Sequence, residues 1–334
     1  MTVVLNGFDV RELFTHALLW GASAIAEDAG VPAVRVGWTG SGMSPTPQLV
    51  GDDLDEQRLA AIVRNHAAAH CAAESWIAAA LPSEQKRGLF SQRVGALGAD
   101  GAAWRLLHDT REAALDRLLG ATLDLRLIGA LGEPAYWART VTQRVAEYEG
   151  ASRLEMQPRN NGSEFVGSRL RPLASIVARR MVTEIAAGLT GRAVRDEMGR
   201  DRPDSRTATN LRPLGATDDA AAWVALWGLS TAPVAHLARR MTRTATHVPA
   251  ASGAGSFRVP VWRGWWTPAR LRTVLASKAL VSGTGEEQVD ATSREWLVQH
   301  GVRGLVEMNV NVSGSSSAPE RRAVTGMPVR IATT

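Results

Sequence analysis

Two histidines at helical spacing are the first residues whose side chains could do chemistry. His66, His70 and Glu74 follow one another at four-residue steps, and Cys71 stands beside them. His-x-x-x-His spacing can place two imidazoles on one zinc ion. A zincin would also need a glutamate directly after the first histidine, where Ala67 stands, and Glu74 would lie about 12 Å along the helix axis from His66. Both histidines continue an apolar stripe, so we expect them in a core or an interface.

A second candidate is an acidic group that could clamp a phosphate through divalent metal ions, as metal-dependent nucleases do. Its members are Asp196, Glu197, Asp201 and Asp204. Four arginines alternate with these carboxylates, at positions 195, 200, 202 and 206. The competing interpretation is a solvated loop whose charges pair with one another, and surface pairs of this kind contribute little stability.

A third constellation combines arginine with tryptophan in the segment FRVPVWRGWWTPARLR, from Phe257 to Arg272. Arginines bind phosphate bidentately, a helix that begins after Thr267 would offer free N–H groups to an anion, and exposed tryptophans could stack on bases. The alternative is that Trp262, Trp265 and Trp266 fill a core where a strand turns into a helix.

Two further stretches, 153–171 and 202–212, are also rich in arginine, here combined with asparagine, and both look like loops. Loops of one composition often converge on one ligand, which leads us to predict a nucleic-acid site built from all three stretches. The predicted site residues are Arg153, Arg159, Asn160, Asn161, Arg169, Arg171, Arg202, Arg206, Asn210, Arg212, Arg258, Arg263, Trp265, Arg270, Arg272 and Lys278.

The distribution of charge supports a polyanionic partner. The net charge of the 334 residues is only +5, yet residues 151 to 280 contain 19 arginines and Lys278 against nine carboxylates, which is a net charge of +11. Each phosphate that such a block neutralises releases counterions and adds affinity that does not depend on sequence. The preference for arginine, with 36 arginines and two lysines, could also reflect nothing more than the base composition of the coding sequence.

The elements that must position these residues are mainly helices. Helical spacing or caps predict helices over 8–29, 54–81, 102–119, 134–148, 172–189, 217–232, 267–278 and around Trp296. Alternation predicts strands over 33–38, 256–263, 306–312 and 323–331. The fold class should be α+β and helix-rich, with a helical domain containing short strands at 1–150, a basic loop-and-helix region at 151–255 and a mixed strand and helix region at 256–334.

Several functional classes lack a starting motif. The chain contains no GxGxxG, no P-loop lysine, no GxSxG elbow and no CxxC pair, and its single cysteine cannot pair within the chain. A basic leader followed by an apolar run is missing, as is any apolar stretch of about 18 residues. We therefore expect a soluble, cytoplasmic protein with no membrane partner, no cofactor, no bound metal and no enzymatic activity.

Two segments resemble a known family. The opening LNGFDVRELFTHALLWGASAIAEDAGVPAVRVGWTG, from Leu5 to Gly40, is similar to the start of CRISPR-associated proteins of the type I systems, in particular the large-subunit-like proteins of the U or G subtype. Those proteins run from a short apolar strand through a polar loop into a small-residue helix and return as a strand with a tryptophan. RTATNLRPLGATDDAAAWVALWGLSTAP, from Arg206 to Pro233, resembles a later polar loop and Trp-rich helix of the same family.

The resemblance implies a non-enzymatic, DNA- and RNA-binding subunit of a Cascade complex in antiviral defence. Its partners would be crRNA, target DNA and the other subunits of the effector. Such a subunit would contact target DNA near the protospacer-adjacent motif while guide pairing reads the sequence. Two alternatives stay open: a metal-dependent nuclease that uses Asp196, Glu197, Asp201 and Asp204, and a protein-interaction scaffold whose arginines meet acidic partners.

Overall fold

Helices and antiparallel sheets occupy separate parts of the chain. The computed structural model describes residues 1–40, 44–80, 88–90, 101–132, 152–156, 165–202, 205, 208–235, 243–250, 253–282, 289–315 and 318–331. Helical residues make up 44% of the structure and strand residues 18%. The strand pairs that the structure describes are antiparallel. This confirms the prediction of a helix-rich α+β fold.

The elements are as follows. The helices are α1 (Leu13–Asp28), α2 (Glu56–His70), α3 (Gly101–Arg117), α4 (Thr122–Leu131), α5 (Arg171–Arg179), α6 (Val182–Leu189), α7 (Asp219–Gly228), α8 (Pro268–Ala276) and α9 (Ala291–Gln299). The strands are β1 (Thr2–Val4), β2 (Arg35–Thr39), β3 (Thr46–Val50), β4 (Val234–Ala235), β5 (Arg243–Thr244), β6 (His247–Val248), β7 (Ser256–Trp262), β8 (Val302–Ser315), β9 (Ala318–Ala323) and β10 (Met327–Arg330). A π-helical turn at Val166–Leu170 precedes α5.

Helix α1 is the centre of the fold, because it is buried from Leu13 to Ala26 and packs most extensively against α7. Both helices are mostly apolar and buried on all sides over this contact, as expected for helices surrounded by protein. Their backbones touch through small residues: a β-carbon at Gly21 would lie 1.8 Å from the carbonyl oxygen of Val224, and one at Gly228 would lie 2.0 Å from that of Ala17. Only glycine fits at these two positions.

The N-terminal sheet has the order β1-β3-β2, in which β3 is central. Alternation predicted β2 but neither β1 nor β3; Val3 and Val36 both pair with Leu49 of β3. The backbone of Trp266 extends the sheet, since it exchanges hydrogen bonds of 2.8 and 2.9 Å with Val36. This contact joins the N-terminal sheet to the segment between β7 and α8.

The C-terminal sheet has the order β10-β8-β7-β6, and β9 pairs with the second half of the long strand β8. Alternating apolar residues predicted β7 and the middle of β8 correctly. The single return strand expected over 323–331 is instead two strands, β9 and β10, which pair with different halves of β8. The amide of Gly326, between them, donates to the carbonyl oxygen of Arg11, and this contact ties the bend to the N-terminal region.

The helix predicted over 172–189 is two helices. Arg180 and Met181 have extended backbone conformations, with ψ angles of 152° and 148°, and they separate α5 from α6. Met181 is 62% exposed, whereas Arg180 is 4% exposed. The break thus turns a charged side chain inward, where its partners lie.

Other boundaries also differ from the expectations. Helix α2 ends at His70 rather than near Pro82, and the helix predicted over 134–148 lies outside the described residues. Because α1 of the first predicted region packs on α7 of the second, these regions share a core; their boundaries stay a prediction. No helix in the described part of the chain combines the length and apolarity that a bilayer crossing requires.

Candidate nucleic-acid interface

The turn from β7 into α8 is the best-formed part of the predicted site, and we call residues 263–270 the β7–α8 corner. Thr267 caps α8 by accepting a hydrogen bond of 3.2 Å from the amide of Arg270, and Pro268 occupies the first turn. The rings of Trp262 and Trp266 are buried and stacked, with centroids 4.3 Å apart. For these two tryptophans the core interpretation is therefore correct.

Trp265 points the other way. Its side chain is 37% exposed, and its ring lies over Gly37 of β2, where a β-carbon would be 3.1 Å from Cε3. One face of the indole thus rests on backbone, and part of the ring is open to solvent. A partly exposed, well-supported aromatic side chain of this kind can stack on a base.

Two cationic side chains of the corner have no carboxylate partner among the described residues. Arg263 is exposed, and its amide donates to the carbonyl oxygen of Gly301 at 2.9 Å. Arg270 is also exposed; its guanidinium lies over Trp266, 4.8 Å from the ring centroid, and donates to the carbonyl oxygen of His300. Neither guanidinium is therefore neutralised by a carboxylate in the part of the chain that the structure describes.

A groove of about 400 Å³ opens between the N-terminal and C-terminal sheets; its lining includes Trp262, which precedes the corner, and none of residues 263–270. Trp38 and Trp262 lie in its wall, edge to face with centroids 5.6 Å apart. Arg11 and Arg303 also line it. Arg11 is bound to Asp9 at 2.6 Å, whereas Arg303 is exposed and has no ion pair in the described part of the chain. The volume is within the range of about 300 to 1,000 Å³ typical of small-ligand sites.

Sequence reasoning missed this groove. Arg303 and Trp38 belong to strands distant in sequence, and the positions only meet because β8 pairs with β7 and because Trp266 pairs with β2. The alternation in β8 was a signal that could have placed Arg303 on a strand face. No local sequence pattern could have shown which residues Arg303 faces across the groove.

Two predicted site residues are buried, so they cannot contact a ligand in this conformation. Arg258 is 4% exposed and forms an ion pair of 2.8 Å with Glu307 on the neighbouring strand β8. Asn210 is 2% exposed, and its side-chain amide donates to the carbonyl oxygens of Met156 and Arg321 at 3.3 and 2.9 Å. These side chains satisfy internal acceptors, as buried polar groups must.

Three other predicted arginines bind groups of the protein itself. Arg212 pairs with Glu12 at 3.1 Å and lies over the ring of Phe14. Arg171 donates to the carbonyl oxygens of Ile77 and Ala78, after the end of α2.

Arg272 binds Glu27 at 2.7 Å, and Arg126 binds the same carboxylate at 3.4 Å. Burial alone would raise the pKa of Glu27, but hydrogen bonds and charge from Arg272 and Arg126 lower it overall. Because Glu27 stays ionised, it neutralises much of the positive charge that Arg272 would offer to a ligand.

The remaining predicted residues are dispersed. Arg202 and Lys278 are exposed, Arg169 is half-buried in the π-helical turn, and Arg153 lines a separate small pocket. Arg159, Asn160, Asn161 and Arg206 lie outside the described residues. The structure therefore gathers Arg263, Trp265 and Arg270 at one corner and assigns most of the other described members to other places.

The acidic group has structural roles. Asp196 is 1% exposed and accepts hydrogen bonds from the amides of Gly199 and Thr217, and Asp201 accepts one from the amide of Asp196 at 2.7 Å. Glu197 binds Arg180. Asp204 is outside the described residues. Within the described chain, no group of three or more histidine, cysteine, aspartate or glutamate side chains is arranged to hold a metal ion.

The histidine pair lies in an aromatic cluster. His66 is partly buried, and desolvation and the charge of His70 hold its pKa well below 6.5. Its Nδ1 accepts a hydrogen bond of 3.2 Å from the indole N–H of Trp223. His70 binds Asp124 at 2.8 Å and the carbonyl oxygen of His66 at 2.7 Å, so both of its nitrogens are occupied. Glu74 is exposed. The core interpretation of the pair thus agrees with the structure.

Neither a protein-family model nor a curated protein matches this chain.

Proposed function

We propose that this protein binds nucleic acid through the β7–α8 corner and the adjoining groove, without catalysing a reaction. The observation that carries the proposal is the combination of Arg263, Arg270 and Arg303, none of which has a carboxylate partner in the described chain, with the half-exposed ring of Trp265. Guanidinium groups neutralise phosphates and aromatic rings stack on bases, which are the two interactions that single-stranded nucleic acid needs.

The groove adds a surface for an unpaired base. Its wall contains Trp38 and Trp262, and Arg303 lies where a phosphate attached to that base could reach it. An apolar wall with a cation beside it suits a nucleotide better than a wholly apolar ligand or an acidic peptide. This supports a single strand, rather than an intact duplex, as the preferred partner.

The family resemblance makes the proposal more specific. We propose that the chain acts as a subunit of a crRNA-guided complex, in which the corner would hold a separated DNA strand or the guide backbone. Sequencing the nucleic acid that copurifies with the assembled complex tests this part. Enrichment of one short RNA containing a repeat sequence is the expected result, and random fragments of cellular RNA would contradict it.

Binding itself is tested with charge-matched variants. Arg263→Gln/Arg303→Gln removes two cations from the proposed interface, and Arg105→Gln/Arg117→Gln removes two exposed cations from α3. Fluorescence anisotropy with a labelled single-stranded oligonucleotide should show binding weakened by about tenfold or more in the first variant and little change in the second. Equal weakening in both variants would mean that only net charge matters, and the corner would then have no special role.

A further inference from the structure

A second cationic site lies on the C-terminal sheet. A pocket of about 230 Å³ is lined by Arg153, His247 and Arg321, with Phe257 beside the histidine at a ring-centroid distance of 5.3 Å. The three polar side chains come from separate parts of the chain. Arg153 lies in the segment 152–156, His247 in β6 and Arg321 in β9. We propose that this pocket binds a phosphate group.

Backbone contacts hold the pocket in place. The amide of Arg153 donates to the hydroxyl of Thr244, in β5, at 2.6 Å. The carbonyl oxygen of Arg321 accepts from the side chain of Asn210, which also binds the carbonyl oxygen of Met156. Asn210 therefore joins the segment that contains Arg153 to strand β9. This explains why a polar residue predicted to contact nucleic acid is buried instead.

Side chains alternate between the two faces of β9, and this alternation directs the guanidinium of Arg321 into the pocket. Glu320 and Arg322 pair with each other at 3.0 Å, and successive residues of a strand point to opposite faces. Arg321 consequently points away from that pair, toward the pocket, and has no ion pair among the described residues. It pairs with Val312 across the strands.

The imidazole of His247 has one nitrogen committed to the protein. Its Nε2 donates to the carbonyl oxygen of Ala254 at 2.9 Å. Burial lowers the pKa of His247, and the nearby charges of Arg153 and Arg321 lower it further. Both arginines thus exert their charge on the same ring. A bound phosphate would offset this repulsion and would allow Nδ1 to become a second donor.

The ligand chemistry is a tetrahedral oxyanion surrounded by two guanidinium groups and an imidazole. Arginine forks match phosphate oxygens in charge and geometry. The phosphate could belong to a nucleic-acid backbone or be free inorganic phosphate. The pocket contains no residue of the β7–α8 corner, so this site does not depend on the function proposed above.

The test uses the full chain with isotope-labelled histidine, followed by NMR while inorganic phosphate replaces chloride at constant ionic strength. The resonance of His247 is assigned with His247→Gln. Phosphate should shift that resonance and raise the pKa of His247 by about one unit. Arg321→Gln should weaken the effect about tenfold. No shift of the resonance with either inorganic phosphate or an oligonucleotide, or the same shift in Arg321→Gln, would overturn the proposal.

Two controls separate this site from the corner. Arg263→Gln/Arg303→Gln should keep the phosphate response of His247 even where it loses oligonucleotide binding. Arg153→Gln provides a second variant of the pocket, because its backbone hydrogen bond to Thr244 does not involve the guanidinium. A response to an oligonucleotide but not to inorganic phosphate would identify the source as the nucleic-acid backbone, and the reverse would identify free phosphate.

Discussion

The guanidinium of Arg180 and the carboxylate of Asp219 form a hydrogen-bonded ion pair of 2.7 Å from which solvent is excluded. Arg180 also binds Asp218 at 3.0 Å and the carbonyl oxygen of Arg195 at 2.8 Å. Burial raises the pKa of Asp219 to about 7 even though Arg180 and backbone amides oppose this shift. The pair connects the break between α5 and α6 to the first turn of α7.

Replacing Arg180 should therefore destabilise the folded protein strongly. Arg180→Met leaves two buried carboxylates without their cation and should lower the free energy of unfolding by about 3 to 5 kcal/mol. Arg179→Met is the matched control: its side chain is 68% exposed, and its substitution should change stability by less than about 0.5 kcal/mol. Urea denaturation followed by circular dichroism measures both. Similar values for the two variants would show that the buried network contributes little.

The contact between α1 and α7 allows no side chain at its two glycines. Gly21→Ala and Gly228→Ala should each lower the free energy of unfolding by at least about 1 to 3 kcal/mol, because a methyl group would overlap backbone of the opposite helix. Gly129→Ala in α4 is the control, since a β-carbon there would meet nothing within 4 Å. That change should stabilise the helix by up to about 1 kcal/mol. Destabilisation by Gly129→Ala to the same extent would contradict the packing argument.

His16 should make stability depend on pH. It is fully buried beside Trp38, donates through Nε2 to the carbonyl oxygen of Val10 at 2.7 Å, and has its pKa lowered by burial from 6.5 to about 4. Between these two values the unfolded chain binds a proton that the folded protein does not. Stability is therefore lost as the pH falls from about 6.5 to about 4, by up to about 3 kcal/mol.

The variant His16→Gln isolates this effect, because it keeps an N–H donor for Val10 and cannot titrate. Equilibrium unfolding of both proteins across this pH range is the measurement. The free energy of unfolding of the wild type should approach that of the variant, or fall below it, at low pH. Parallel curves for the two proteins would show that His16 does not carry the dependence.

The two adjacent tryptophans of the corner should separate binding from folding. Trp265→Ala removes a half-exposed ring and should weaken binding of a single-stranded oligonucleotide by about 1 to 3 kcal/mol, with a stability change below about 1 kcal/mol. Trp266→Ala removes a fully buried ring and should lower the free energy of unfolding by about 3 to 5 kcal/mol. Anisotropy and urea denaturation of both variants check this. Full binding by Trp265→Ala would remove the stacking contact from the interface.

Local signals in the sequence predicted a substantial part of the fold. Asp218 and Thr267 cap α7 and α8 as their types suggest, and alternation identified β7. These features depend on residues within a few positions of one another. The break at Arg180 could not be predicted, because its cause is an ion pair with residues 38 and 39 positions away.

The predicted site stays a prediction, but the described residues assigned to it are more scattered than the sequence suggested, since Arg258 and Asn210 are buried. Counting arginines cannot show whether a given guanidinium faces solvent or a carboxylate on another strand. Arg258 and Glu307 meet only because β7 and β8 pair in one particular register. Arg303 was overlooked for the same reason, since its place beside Trp38 depends on how two sheets adjoin. Its part in nucleic-acid binding remains our proposal.

The most direct test of nucleic-acid binding at the corner is the salt dependence of oligonucleotide binding. Three guanidinium contacts, from Arg263, Arg270 and Arg303, predict a slope of about −2 when the logarithm of the association constant is plotted against that of the salt concentration for a single strand. Arg263→Gln/Arg303→Gln should bring the slope to about −0.7. A slope that stays the same in this variant, or wild-type binding that does not respond to salt, would contradict the account.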